Sequence, residues 1–279
     1  MARAAGRIYR RRKRRARLWR RGILAALGVT AAAVLLLTRR SPLMQAERID
    51  APTPTPVSQA FDQQVESREI TLPEETWYAI QTGVFSTAEA AEEKAGAYAS
   101  RGAPGTVVAD GDKWRVFIAC YGSESDASVV RQRLGESQRV ETYLFRWQSP
   151  ELRLRLTGMA GQLDVVEAGL SLLRQAAEEL RDTAILLDAG ELTVTEASKR
   201  VSELDGRIAL WRQTAKSRFG NKLPALMQSM LDSVVRWDQR RKTLEEAAGS
   251  ATELSAAMKG QGMTLYQELL RLKQSIAAG

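Results

Sequence analysis

Trp77-Tyr78-Ala79-Ile80-Gln81-Thr82-Gly83-Val84-Phe85 is followed by Ser86-Thr87-Ala88-Glu89 and an alanine-rich stretch. Further on, Trp114-Arg115-Val116-Phe117-Ile118-Ala119-Cys120-Tyr121 is followed by Ser123-Glu124-Ser125-Asp126 and another helical stretch. Tyr78 corresponds to Trp114, Ile80 to Val116, Gly83 to Ala119 and Phe85 to Tyr121. Each copy reads as a strand that runs into a helix, so the chain carries an internal duplication.

Working outward, residues 76–148 read as β-α-β-β-α-β. Trp77 to Thr82 is rich in strand formers. Ser86 to Glu89 has the spacing of a capping box, in which a hydroxyl caps an amide and a carboxylate reaches back. Ala88, Ala91, Ala95 and Tyr98 then recur on one helical face. Arg101 to Gly105 breaks that helix. Thr106 to Ala109 is a short strand, Asp110-Gly111-Asp112 a hairpin turn, and Trp114 to Ala119 the third strand. Ser123 opens a second helix with Ala127, Val130 and Leu134 inward, and Val140 to Trp147 closes the unit. Two such halves give a ferredoxin-like sheet with both helices on one face.

Strand alternation turns Tyr78, Ile80, Val116, Ile118 and Leu144 toward the helices. It turns Ala79, Gln81, Arg115, Phe117, Tyr143, Phe145 and Trp147 to the other, free face. Aromatic planes beside amide and guanidinium donors suit sugar rings, which offer apolar C–H faces and hydroxyl edges. A competing reading packs some of these aromatics under loops or against the C-terminal region. Bases also stack on exposed sheet aromatics in RNA-recognition domains of this topology, but their aromatic-rich signature is missing.

At these residues the chain resembles the SPOR domain family. Tyr78, Gln81, Gly83 and Phe85 are similar to its first-strand motif, and Trp114-Arg115-Val116 to the Tyr-Arg-Val of its second half. Ala119 stands where a glycine is common and Cys120 where a proline is frequent. The resemblance implies binding of peptidoglycan glycan strands, preferably those stripped of stem peptides, often at the bacterial division septum. It implies a glycan laid across the free sheet face, with Gln81 and Trp147 matching residues associated with binding. The peptidoglycan-binding set expected here is Gln81, Arg115, Phe117, Tyr143, Phe145 and Trp147.

The N-terminus predicts the compartment. Residues 1–21 carry eleven Arg and Lys and no acid. The apolar run Gly22 to Leu37 follows, about 25 Å long as a helix. The basic flank keeps the N-terminus cytoplasmic, so residues 22–38 are expected to be a retained signal anchor in the bacterial inner membrane, with the bulk of the chain outside the cytoplasm. A cleaved signal peptide is the competing reading, although no small-x-small site follows Leu37. The net charge of +8 is thus local, since without the eleven basic residues of the tail the chain stands at −3. The basic tail sets topology and touches anionic headgroups rather than nucleic acid. Residues 39–75 contain Ala51-Pro52-Thr53-Pro54-Thr55-Pro56 and read as an extended linker.

The chain has no histidine and one cysteine. That removes Ser-His-Asp and Cys-His nucleophile systems and the usual zinc sites, and Cys120 has no disulfide partner within the chain. No catalytic residue, metal ligand or cofactor is assigned.

Residues 150–279 resemble no family. Leu152, Leu156, Met159, Leu163, Val166, Leu170, Leu173, Ala177, Leu180, Ala184 and Leu187 alternate spacings of four and three, a heptad seam. Asp188-Ala189-Gly190 ends it. Thr193 to Glu196 is a capping box before Val194, Ala197, Val201, Leu204, Ile208, Trp211 and Ala215. Phe219-Gly220-Asn221 and Pro224 mark the next break. Stripes at Leu226, Met230, Val234, Trp237 and Leu244, and at Leu254, Met258, Leu265, Leu269, Leu272 and Ile276, follow. The expectation is an antiparallel helical bundle or a coiled coil that spaces or recruits division or cell-wall synthesis proteins.

The sequence thus predicts an α+β protein: a single transmembrane helix, a ferredoxin-like SPOR domain and an all-α C-terminal region. Its expected function is non-catalytic peptidoglycan binding in cell division or wall remodelling. The rivals are a wall hydrolase or a structural membrane scaffold that keeps the domain for targeting.

Overall fold

The computed structural model describes residues 64–221 and 223–278. The basic tail, the predicted span and most of the predicted linker lie outside the described residues. Among the described residues, no helix is long and apolar enough to cross a membrane.

The chain begins with strand β1 (Val65–Leu72). A four-stranded unit follows: β2 (Glu75–Phe85), α1 (Ala88–Ala99), β3 (Thr106–Asp110), β4 (Lys113–Tyr121), α2 (Glu124–Gln138) and β5 (Tyr143–Ser149). The strand order is β3-β4-β2-β5, every pair antiparallel, which is the ferredoxin-like arrangement the duplication predicts. Thr87 rather than Ser86 caps α1, accepting from the Ala90 amide, and Ser123 caps α2. The hairpin between β3 and β4 turns at Gly111, whose φ of 62° suits a residue without a Cβ.

Two bulges shape the central pair of strands. Ile80 pairs with Ala119, Gln81 with Phe117 and Gly83 with Val116, so Ile118 on β4 and Thr82 on β2 are each unpaired. Each bulge reverses the alternation beyond it. Phe85 therefore returns to the helix side, and its ring lies over Gly83, where a Cβ would stand 2.8 Å from it. That contact gives the motif glycine a physical reason.

Beyond β5 the structure departs from the sequence expectation. Leu152–Met159 forms a strand, β6, instead of the first two turns of a long helix, and it pairs with β1 in what was read as linker. Leu152-Arg153-Leu154-Arg155-Leu156 alternates strictly, so the same leucines satisfy a period of two as well as the four-three seam. Ile70 pairs with Leu154 and Leu72 with Leu152, and this apolar side of the ribbon joins the core.

Four helices complete the chain: α3 (Ala160–Asp188), α4 (Val194–Phe219), α5 (Ala225–Glu246) and α6 (Ala251–Ala278). Each packs on its neighbours, with α6 closing back on α3, as an antiparallel bundle. The seams predicted from Leu163 onward are its core: Leu170, Leu180, Leu204, Ile208, Trp237, Leu254 and Met258 are at most 2 % exposed. The predicted capping box at Thr193 is present in both halves. The Trp211 indole donates to the Val165 carbonyl at 2.9 Å. Gly169 makes room for the Trp211 ring, which would stand 2.4 Å from an added Cβ.

Candidate functional site

Cross-strand pairing sorts the sheet into two faces. Tyr78, Ile80, Val116, Ile118 and Leu144 lie under α1 and α2, with Ala91, Ala95 and Ala127 against them. The opposite face carries Trp77 beside Trp147, then Cys120, Ala79 and Phe145 in a row, then Phe117, Gln81 and Tyr143, and finally Val108, Arg115 and Val84. All six predicted site residues therefore share one face.

That face is not free, which corrects the expectation of an open aromatic platform. Phe117 is 0 %, Gln81 7 % and Trp147 9 % exposed. The cover is the C-terminal bundle: Trp77, Ala79, Val108, Phe117, Cys120 and Trp147 belong to one core cluster with α3 and α6. Tyr266 on α6 stacks on Trp77 with ring centroids 4.2 Å apart and planes 6° from parallel. The Arg181 guanidinium on α3 lies 4.5 Å from the Trp77 ring centre. Trp147 sits 4.6 Å from Phe117 and 6.2 Å from Tyr266. A stacked aromatic and a guanidinium are the contacts a sugar ring was expected to find here, and the chain's own helices supply them.

Burial of these side chains is worth on the order of 10 kcal/mol of transfer free energy at about 2–3 kcal/mol per large side chain. The cover is therefore core and not a lid. Burial pushes the Cys120 thiol up to about 12, so Cys120 is an inert packing residue.

One corner of the face stays open. Tyr143 is 54 % and Val84 42 % exposed, and the Arg115 side chain 24 %. Arg115 donates to Asp110 Oδ2 at 2.6 Å and to Gln81 Oε1 at 2.9 Å, and its guanidinium lies 4.8 Å from the Phe145 ring centre. Gln81 thus holds Arg115 through its carbonyl oxygen. Glu141 accepts the Tyr143 hydroxyl and raises its pKa above the usual phenol value. The corner presents the Tyr143 and Phe145 rings and a fixed guanidinium, which can stack on a ring and hydrogen-bond its hydroxyls.

A buried polar cluster ties sheet to bundle behind Trp77. Lys273 Nζ donates to the Pro73 carbonyl and to Ser149 Oγ, both at 2.7 Å, and the Tyr266 hydroxyl donates to the Glu75 carbonyl. Neither Glu75 carboxylate oxygen has a hydrogen-bond donor, although Arg174 Nε lies 3.7 Å away. Burial raises the Glu75 pKa and lowers that of Lys273. Sequence reasoning missed Trp77, Arg181, Tyr266 and Lys273 as partners of this face. A signal was present in Trp77, which by alternation shares the outward face with Ala79 and Gln81.

Residues 75–145 match the family model of the SPOR domain. The ferredoxin-like unit is therefore a SPOR domain, about a quarter of the chain, and SPOR domains are peptidoglycan-binding rather than catalytic modules. No curated protein and no solved structure gives a significant match.

Proposed function

We propose that this chain is a single-span inner-membrane protein, N-terminus cytoplasmic, that binds peptidoglycan glycan strands in cell division or wall remodelling without catalysis. The observation that carries the reading is the SPOR domain with an open corner of aromatic and guanidinium groups on its sheet face. Arg115, Tyr143 and Phe145 contact the sugar, Gln81 fixes Arg115, and Phe117 and Trp147 support them from the covered side. Because α6 stands where a longer strand would continue across Trp77, the site takes a short stretch of glycan. The outer surface of the bundle recruits division or wall-synthesis proteins.

The bundle's cover favours a second reading, a membrane scaffold whose sheet face serves only to dock its own helices. A pull-down of the full chain on intact walls and on walls stripped of stem peptides by an amidase separates the two. The binding reading expects retention that rises on stripped walls and falls with Tyr143→Ala. Equal, negligible retention on both preparations supports the scaffold.

A further inference from the structure

A concavity of about 660 Å³ lies on the other face of the SPOR domain, between α1 and α2. That is the size range of ligand sites. Its floor is Ile118 and Ala119 of β4, and its walls carry Tyr98 from α1 and Val130 and Leu134 from α2. These side chains are half-buried or buried, while Val129 at the rim is 51 % exposed. The C-terminal end of α3 closes one end of the cleft, where Asp188 pairs with Lys259 of α6 and accepts from Ser255.

The charges at the rim are unbalanced. Arg101, just after α1, and Arg133, on α2, both line the cleft and are exposed, and neither has an ion-pair partner among the described residues. Of the acids that line it, Asp188 pairs with Lys259 and Asp126 accepts from the Ser123 hydroxyl at 2.7 Å, so the lining carries one more cation than acid. An apolar trough flanked by two unpaired guanidinium groups suits apolar side chains with carboxylates beside them.

We propose that this cleft binds an acidic, apolar peptide segment of another protein, with its apolar side chains on Ile118, Val130 and Leu134 and its carboxylates on Arg101 and Arg133. Two copies meeting cleft to cleft would bring like charges together. The inference is independent of glycan binding, which uses the other sheet face.

The test uses the full chain in neutral-lipid nanodiscs and a fluorescent hexapeptide of alternating Glu and Leu, read by anisotropy. The expected result is saturable binding that Arg101→Glu with Arg133→Glu weakens about tenfold or more. Arg131→Glu, which reverses a neighbouring arginine outside the cleft, changes it less than about twofold. A peptide with Lys in place of Glu does not bind. Four results overturn the proposal: no saturable binding, equal binding of the two peptides, binding indifferent to the double reversal, or self-association of the protein lost with that reversal. Retained melting temperature in the variants separates lost recognition from lost folding.

Discussion

The two faces of the SPOR sheet are both buried, but by different means. One face meets α1 and α2 through small side chains, Ala91, Ala95 and Ala127, which let two short helices lie close on Ile80 and Val116. The other carries the large aromatics Trp77, Phe117 and Trp147, and the C-terminal bundle fills the space over them. Aromatics on a sheet face thus identify a surface that needs a partner, and they do not say whether that partner is a ligand or the rest of the chain. Here the bundle takes most of the face and leaves the corner at Arg115 and Tyr143.

The largest expected effect comes from removing a covered aromatic. Trp77→Ala should destabilise the protein by about 3–5 kcal/mol, because a cavity opens between sheet and bundle. Chemical denaturation should show both losing structure in one transition. Two separated transitions would break the picture of a shared core. Tyr143→Ala, at the open corner, should leave the melting temperature unchanged and weaken retention on stripped walls about tenfold, on the order of 1.4 kcal/mol. A variant that melts early but binds normally would invert the assignment of covered and open.

A smaller effect attaches to Glu75. Burial raises its pKa, with Lys273 and Arg174 opposing the shift and Glu178 reinforcing it. A raised carboxyl pKa contributes stability below the ordinary carboxyl value, and that contribution is lost as pH rises through the raised value. Glu75→Gln should therefore exceed wild type by about 1 kcal/mol at neutral pH and match it below about pH 4. Denaturation midpoints at the two pH values check this, and a variant less stable at neutral pH would assign Glu75 to net ion pairing. The smallest effect concerns Cys120: with its thiol pushed up to about 12 and fully buried, it should resist alkylation in the native protein and react on unfolding.

Much of this was legible in the sequence. The duplication, the capping residues and the helix-facing residues Tyr78, Ile80, Val116 and Ile118 follow from local periodicity, which local backbone sterics enforce. The seams from Leu163 onward were legible for the same reason. Leu152 to Met159 was misread because its leucines fit two periods, and what decides between them is pairing with Val65–Leu72, a non-local event. The six candidates share one sheet face, as strand alternation predicts, yet the burial of Phe117, Gln81 and Trp147 was not readable. Tyr266 reads as one more residue of an amphipathic helix, and nothing local says that its ring lands on Trp77.

Hydrogen exchange of the full chain, with and without soluble glycan released from amidase-treated walls, tests the account most directly. The account predicts new protection at the open corner, around Gln81 to Phe85 and Tyr143 to Arg146, with α6 around Tyr266 equally protected in both states. Faster exchange around Tyr266 when glycan is added would contradict it, because the bundle would then be yielding its place on the sheet to the ligand.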